Sequence, residues 1–160
     1  MIANGFTAAA ALLIDADNLA PEAIDTALRD LADRGLKVTL LRAYGSPETL
    51  SGAKDVLQRH AGRVVVNQAR GPTDAALVVD AMDLLHQGSL PATVAIGSSD
   101  ADFSPLAVRL REAGRQVLCY AQAHKADLAT LRRVYHEVVP GQEERASRPA
   151  AAPTPGGTPG

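Results

Sequence analysis

Residues 9–18, AAALLIDADN, give the clearest indication of the fold class of this chain. Its first six residues form an apolar run that is too short for a typical helix, which predicts a strand buried on both faces of a sheet. Asp15 follows directly, and Asp17 and Asn18 come next. A buried strand that ends in polar side chains is typical of an open α/β sheet, because such sheets bind ligands beyond the carboxyl ends of their strands.

The same alternation of apolar runs and helical patterns continues along the chain. Further strands are predicted over residues 37–44, 63–68, 93–96, 116–120 and 134–139. Helices are predicted over residues 21–34, 47–60, 74–87, 105–113 and 125–133, and the third has apolar residues nearly all round, which predicts burial on more than one side. Strands that alternate with helices form right-handed βαβ units, so we expect a three-layer α/β/α sandwich with a mainly parallel central sheet.

The composition indicates one folded domain and a tail. The chain has 160 residues, of which 46% are hydrophobic and 21% charged, enough for the core of one domain over residues 1–141. Residues 142–160, rich in Pro, Ala and Gly, bury too little apolar surface to fold and are predicted to be a flexible tail. A segment of this composition is also typical of a linker, so we expect a further domain after it.

Composition excludes several classes of function. The single cysteine, Cys119, excludes a disulfide framework and a cysteine-based zinc site. No apolar run reaches the roughly 20 residues that cross a bilayer, and the first residues lack the features of a secretory signal. We therefore expect a cytoplasmic protein with no membrane partner. A net charge of −2 and 3% aromatic residues argue against a general polyanion binder or an aromatic platform for single strands.

Acidic residues gather just beyond the predicted strands. Asp15 and Asp17 follow the first strand, and Asp100 and Asp102 follow the fourth. Asp74 begins the helix after the third strand. If the first and fourth strands are neighbours where the strand order reverses, Asp15 and Asp100 approach each other, and Asp74 can point in from the head of its helix.

Carboxylates gathered in one crevice repel each other, so the cluster predicts a bound cation. Mg²⁺ and Mn²⁺ prefer oxygen ligands and bind through a few carboxylates together with substrate phosphate. Zinc is disfavoured, because the chain has no Cys cluster and no pair of His at ligand spacing. A carboxylate site of this kind activates water for attack at a phosphodiester, which makes four acids candidate metal ligands and catalytic residues: Asp15, Asp74, Asp100 and Asp102.

Each acid also has a structural interpretation. Asp15 could cap a turn after the first strand, Asp74 could cap its helix, and Asp100 and Asp102 could form an Asx turn. Asn18 would then only shape its turn. Asp80 lies mid-helix between apolar residues, where a carboxylate needs a partner, so it either supports the site or pairs with a nearby arginine.

Several basic residues lie near the predicted open edge of the sheet, where they could contact RNA phosphates. They are Arg42, Arg70, Lys125, Arg132 and Arg133. The alternative is that they are solvated surface, as most charged residues are.

Three motifs in sequence order resemble the NYN domain family, a branch of the PIN-like nucleases. They are LLIDADN at residues 12–18, GPTDAALVVDAM at residues 71–82 and IGSSDADFSPLAVRLREAG at residues 96–114. The resemblance covers roughly residues 9–139. It implies a PIN-like fold and metal-dependent cleavage of RNA, with the family's metal-binding acids at Asp15, Asp74, Asp100 and Asp102.

The resemblance also implies supporting positions and partners. Asn18 matches the family's Asn after the first strand, Asp80 matches a recurrent helical acid, and Ser99 stands where many members have Gly. Asp17 is a further supporting candidate. Family members often carry a separate nucleic-acid-binding module, which agrees with a tail that resembles a linker. A homodimer is a further expectation, since small domains often self-associate.

Three functions remain open on the sequence. The leading hypothesis is an endoribonuclease that uses Mg²⁺ or Mn²⁺ and leaves 5′-phosphate and 3′-hydroxyl ends. A phosphatase of the haloacid dehalogenase type would use Asp15 as nucleophile and Asp17 as acid/base, although no lysine stands where that mechanism needs one. A non-catalytic RNA-binding module would keep the acids for folding or metal binding alone.

Overall fold

The computed structural model describes residues 7–60, 63–66, 73–122 and 127–140, and for residues 63–66, 73 and 74 it describes the backbone alone. Within these ranges the strands are β1 (Ala8–Asp15), β2 (Leu36–Gly45), β3 (Arg63–Val66), β4 (Thr93–Gly97), β5 (Gln116–Ala121) and β6 (Glu137–Pro140). The helices are α1 (Pro21–Asp33), α2 (Pro47–Arg59), α3 (Thr73–His86), α4 (Ser104–Glu112) and α5 (Leu128–Val134), with 3₁₀ turns at Ala16–Asn18 and Ala101–Phe103. Arg70, Lys125 and the predicted tail lie outside the described residues.

The ends of the helices follow from the local sequence. Pro21 and Pro47 open α1 and α2, where a missing N–H costs no hydrogen bond. The Ser46 side chain caps α2, since its Oγ accepts a hydrogen bond from Thr49 N at 3.3 Å. Gly35 follows α1 with a φ of +80°, a left-handed conformation that glycine adopts without strain. These punctuating residues made the helix boundaries predictable.

All six described strands are parallel, in the order β3-β2-β1-β4-β5-β6. The order reverses between β1 and β4, where Ile14 pairs with Gly97. Asp15 therefore ends β1 directly beside the segment that leaves β4. The predicted parallel α/β sheet is confirmed, and so is the expectation that the first and fourth strands are neighbours.

Helices cover both faces of the sheet, which creates two apolar cores. On one face, Leu13 of β1 packs in a cluster with Leu77 of α3 and Leu110 of α4. On the other face, Ile14 of β1 packs in a cluster with Ile24 of α1. All five side chains are fully buried, so β1 is the central strand of a three-layer sandwich, as its apolar run predicts. In the described part of the chain, no helix combines the length and the apolar character needed to cross a membrane.

The expectation that α3 is buried on several sides is wrong. Val79 is 70% exposed, whereas Leu77 and Ala81 are fully buried. Consecutive helix residues are about 100° apart, so Val79 lies on the opposite side of α3 from these two neighbours. The apolar residues all round α3 therefore predicted more burial than the structure shows, because α3 packs on the sheet with one side only.

Candidate functional site

Asp15 is the one buried acidic residue among the described side chains, with 1% of its surface exposed. Its Oδ2 accepts hydrogen bonds from Asn18 Nδ2 at 2.8 Å and from Ser98 Oγ at 2.9 Å. Its Oδ1 is also buried but has no hydrogen-bond partner among the residues that the structure describes. A buried acceptor without a donor is costly to a fold, so this oxygen indicates a place for a ligand.

The surroundings of Asp15 disfavour its ionised form. Burial raises the pKa of Asp15 above its ordinary value, the hydrogen bonds from Asn18 and Ser98 lower it, and the nearby carboxylates of Asp17 and Asp100 raise it. Among the described side chains, no lysine, arginine or histidine forms an ion pair with Asp15 or Asp100. A cation at Oδ1 would offset this excess of negative charge. We call Asp15, Asp17, Asn18, Ser98 and Asp100 the acidic cluster.

Ser98 links the two strand ends within the acidic cluster. It is 1% exposed, and its Oγ donates to Asp15 Oδ2 while it accepts a hydrogen bond from Asp100 N at 3.0 Å. One hydroxyl group therefore fixes Asp15 relative to the segment after β4. The sequence did not single out Ser98, and the only available signal was a small polar residue directly after the fourth strand.

Asp100 is both a turn residue and a member of the acidic cluster. Its Oδ1 accepts a hydrogen bond from Asp102 N at 2.9 Å, which caps the 3₁₀ turn Ala101–Phe103. Its charge also acts on Asp15. Asp102 is exposed. The structure brings Asp100 to Asp15 and leaves Asp102 at the rim.

Ser99 holds loops together at the carboxyl edge of the sheet. Its Oγ accepts from Gln122 N at 2.9 Å and donates to Gln122 O at 3.4 Å. The side-chain oxygen of Gln122 accepts in turn from Ala20 N at 3.2 Å. These contacts join the ends of β4 and β5 to the segment after β1, and the role of Ser99 in supporting the acidic cluster stays a prediction.

Asp17 faces the start of α2. Its Oδ1 accepts from Ser46 N at 3.3 Å and from Ser46 Oγ at 3.5 Å. The residue is exposed, although its charge still acts on Asp15. This contact disfavours the phosphatase alternative, because there Asp17 would face the substrate beside Asp15.

Asp80 pairs with an arginine, which is one of its two predicted roles. Arg42 Nη1 donates to Asp80 Oδ1 at 2.9 Å and to Oδ2 at 2.7 Å, and the Tyr44 hydroxyl donates to Oδ2. Arg42, a predicted RNA contact, is therefore engaged by a carboxylate. Burial raises the pKa of the Tyr44 hydroxyl, and its hydrogen bond to Asp80 raises it further.

The remaining predicted site residues divide by position. The side chain of Asp74, and the whole of Arg70 and Lys125, lie outside the described structure, so their roles stay predictions. Arg132 is exposed in the last turn of α5, together with Arg133. Just after this turn, the chain bonds back to the first residues of β5. The backbone of Arg132 and Arg133 therefore lies toward the amino edge of the sheet, away from the acidic cluster.

A cation at the acidic cluster would need ligands beyond those described. No group of three His, Cys, Asp or Glu side chains close enough to hold a metal ion occurs among the residues that the structure describes. Mg²⁺ commonly binds through one or two carboxylates, with water and substrate phosphate as the other ligands. The oxygen ligands of Asp15 and Asp100 therefore fit such a cation if water and substrate complete its coordination.

Sequence comparison gives the family. A family model for the NYN domain matches residues 9–140. The chain belongs to the NYN domain family. The matched span contains the whole acidic cluster and all but the start of the described sheet. The resemblance expected from the three motifs is confirmed, and with it a PIN-like, nuclease-type fold for this NYN domain.

Structural comparison supports the same fold. A solved structure from Vibrio parahaemolyticus RIMD 2210633, described as a protein of unknown function, is similar to this NYN domain with a TM-score of 0.64. The two are 18% identical, and the match covers 88% of this chain and 96% of that chain. At this identity the likeness extends to the fold alone. No curated protein matches the chain.

Proposed function

We propose that this NYN domain is a divalent-metal-dependent ribonuclease that hydrolyses RNA phosphodiester bonds at the acidic cluster. One observation carries the proposal: Asp15 Oδ1 is a buried carboxylate oxygen to which no described group donates a hydrogen bond. It lies where the strand order reverses, and ligands of open α/β sheets bind at that crevice. The nuclease-like character of the family supports this assignment.

The donor atoms of the cluster suit Mg²⁺ or Mn²⁺. Asp15 and Asp100 offer carboxylate oxygens, which hard divalent cations prefer over the nitrogen and sulfur ligands of zinc. When bound, such a cation would make a water molecule more acidic and offset the charge that builds up on the phosphate. We propose Asp102, at the rim, as an outer ligand.

The residues of the chain orient the ligand atoms. Asn18 and Ser98 both donate to Asp15 Oδ2, which leaves Oδ1 for the cation. Asp74 stands three and seven positions before Leu77 and Ala81, which are buried against the sheet. Helix periodicity predicts the same side of α3 for Asp74, so we infer that it completes the cluster.

The RNA is proposed to lie across the carboxyl edge of the sheet. Arg70 and Lys125 follow β3 and β5 in the chain, so both come after strands whose carboxyl ends share this edge. We therefore keep these two residues as the proposed phosphate contacts. Arg42 and Arg132 lose that role, because Arg42 pairs with Asp80 and Arg132 lies toward the opposite edge.

The test is cleavage of a labelled single-stranded RNA in the presence of Mn²⁺. We expect Asp15→Asn to lower the cleavage rate at least a hundredfold, because even the outer partners of metal ligands are worth roughly 10- to 100-fold. The matched control is Asp33→Asn, which makes the same chemical change at the exposed end of α1 and should cleave like the wild type.

Two outcomes would contradict the proposal. Equal cleavage by the wild type and Asp15→Asn would remove Asp15 from the mechanism. Binding of RNA without cleavage in Mg²⁺, Mn²⁺ and Co²⁺ would instead support a non-catalytic RNA-binding module.

A further inference from the structure

The contact between Asp80, Arg42 and Tyr44 joins α3 to the sheet beside the acidic cluster. Both oxygens of Asp80 accept hydrogen bonds, from Arg42 at 2.9 and 2.7 Å and from the Tyr44 hydroxyl. The Asp80 and Arg42 side chains are only 22% and 18% exposed, and Tyr44 is fully buried. We call these three residues the strut.

The base of the strut is the strand position next to Asp15. In the pairing of β1 with β2, Asp15 lies opposite Tyr44, and Leu13 lies opposite Arg42. The side chains of directly paired residues lie on the same face of a sheet. The Tyr44 hydroxyl therefore ties the immediate neighbour of Asp15 to a residue of α3.

The other end of the strut sets the position of α3. Asp80 lies near the middle of this helix, which packs on β1, on β2 and on the 3₁₀ turn that Asp100 begins. The first turn of α3 carries Asp74, about 9 Å along the helix axis from Asp80 at 1.5 Å per residue. A shift of α3 along the sheet would therefore move Asp74 relative to Asp15.

The charges in the strut argue against two simpler roles. The two oxygens of Asp80 already have partners, so it offers no unpaired atom of the kind that Asp15 Oδ1 does. The positive charge of Arg42 is offset by Asp80, so it is a poor anchor for a phosphate. Neither a metal ligand nor an RNA contact is indicated.

We propose that Asp80, Arg42 and Tyr44 are positioning residues that hold α3 in the register at which the acidic cluster binds its cation. The inference rests on the proposed function. Residues that orient metal ligands from outside the ligand set are typically worth 10- to 100-fold in metal affinity or activity. The strut would act in this way on Asp74, through the helix that carries it.

The opposite face of the sheet offers a matched control. There the Tyr120 hydroxyl donates to Asp30 Oδ2 at 2.6 Å, and Arg34 Nε donates to the same oxygen at 2.7 Å. Tyr120 is 4% exposed and Asp30 lies on α1, which packs against the other core. Tyr44→Phe and Tyr120→Phe therefore each remove one buried hydroxyl from an Asp and Arg pair, but only Tyr44 lies beside Asp15.

The experiment measures Mn²⁺ binding to the full chain without RNA, from the electron paramagnetic resonance signal of free Mn²⁺, and then the kinetics of RNA cleavage. We expect Tyr44→Phe to raise the Kd for Mn²⁺ about tenfold. Its kcat should fall at subsaturating Mn²⁺, and its KM for RNA should hold. Tyr120→Phe should change the Kd less than about twofold, and Arg42→Lys should leave KM for RNA unchanged while it weakens Mn²⁺ binding.

Each result decides between the strut and a simpler role. Equal Mn²⁺ affinity in the wild type and Tyr44→Phe would overturn the positioning role of the strut but not the proposed function. An equal loss of Mn²⁺ affinity in Tyr44→Phe and Tyr120→Phe would also overturn that role, because it would indicate general destabilisation. A raised KM for RNA in Arg42→Lys with unchanged Mn²⁺ affinity would make Arg42 an RNA contact. A wild type that binds no Mn²⁺ would overturn the proposed function itself. Circular dichroism melting of each variant verifies that it is folded at the assay temperature.

Discussion

Two polar clusters of this NYN domain differ in whether their carboxylates have positively charged partners. In the acidic cluster, Asp15 keeps one buried oxygen without a partner among the described residues, and the described charges that act on it, those of Asp17 and Asp100, are negative like its own. On the opposite face of the sheet, Arg34 donates to Asp30 and, through two nitrogens, to Glu137 at 2.8 and 2.7 Å. We call Asp30, Arg34, Tyr120 and Glu137 the balanced cluster, because each carboxylate there faces a guanidinium.

The difference separates a structural role from a functional one. The balanced cluster ties α1 to β6 and satisfies its own charges, so it can stabilise the fold without a ligand. The acidic cluster costs the fold stability unless something binds, because burial and like charges both disfavour the ionised form of Asp15. Sites that a fold leaves unsatisfied in this way are typically functional.

The largest expected effect of this difference is stabilisation by metal. A cation that binds only the folded state, and is present at a concentration about 100 times its Kd, adds about 2.7 kcal/mol to the free energy of unfolding. For a domain of this size that is a rise in Tm of roughly 5–10 °C. We expect Mn²⁺ to raise the Tm of the wild type and of Asp30→Asn, but not of Asp15→Asn. A similar rise in Asp15→Asn would place the cation elsewhere; differential scanning calorimetry measures all three.

The two clusters should also respond oppositely to loss of a carboxylate when no metal is present. Asp30→Ala leaves the buried Tyr120 hydroxyl without its acceptor, which should cost about 1–3 kcal/mol. Asp15→Asn removes a buried charge and should leave the free energy of unfolding unchanged or raised. Urea unfolding at pH 7 in EDTA measures both, with Asp33→Ala as the surface control. A loss of more than 1 kcal/mol in Asp15→Asn would make Asp15 a structural residue.

Within the acidic cluster, Ser98 gives a smaller effect. Ser98→Ala removes one hydrogen bond from Asp15 Oδ2 and the acceptor of Asp100 N. We expect the Kd for Mn²⁺ to rise about tenfold, as for other residues that orient a metal ligand. Isothermal titration calorimetry measures it, and Ser98→Thr, which keeps the hydroxyl, should recover most of the affinity. No change in Ser98→Ala would show that Asn18 alone orients Asp15.

The smallest effect concerns pH and the balanced cluster. The hydrogen bonds from Arg34 lower the pKa of Glu137, so the unfolded state takes up a proton before the folded state as the pH falls. The stability from this pair is therefore complete above the ordinary pKa of glutamate, about 4.3, and is lost as the pH falls through the lowered value. Glu137 is half-exposed, so Glu137→Gln should cost at most about 1 kcal/mol at pH 7. The difference in free energy of unfolding between the wild type and Glu137→Gln should become smaller at pH 3, as measured by urea titrations. A difference that does not depend on pH would contradict a lowered pKa of Glu137.

Much of the fold could be predicted from short stretches of sequence. The apolar run before Asp15 predicted a central strand, and prolines and glycines predicted where helices begin and end, because these signals act between residues close in the chain. The candidate site was predictable in outline for the same reason, since acids that follow parallel strands share one edge of the sheet. The position of Asp80 in the middle of a helix predicted that it supports the site or pairs with an arginine, but not which arginine.

The details of the site depended on residues far apart in the chain. Ser98 is 83 positions from Asp15, and Tyr44 is 36 positions from Asp80, and no periodicity links such pairs. Arg42 was predicted to contact phosphate because the sequence indicated its position near the open edge of the sheet. The sequence did not indicate its carboxylate partner on α3.

Local periodicity and turn chemistry were enough to predict the parallel α/β class, the order of strands and helices along the chain, and the acids that follow β1 and β4. Three features of the site required the assembled sheet: Asp15 keeps a buried oxygen without a partner among the described residues, Ser98 joins it to Asp100, and Arg42 offsets the charge of Asp80. Burial and pairing arise when the sheet assembles, since they depend on which strands become neighbours and which helix covers them.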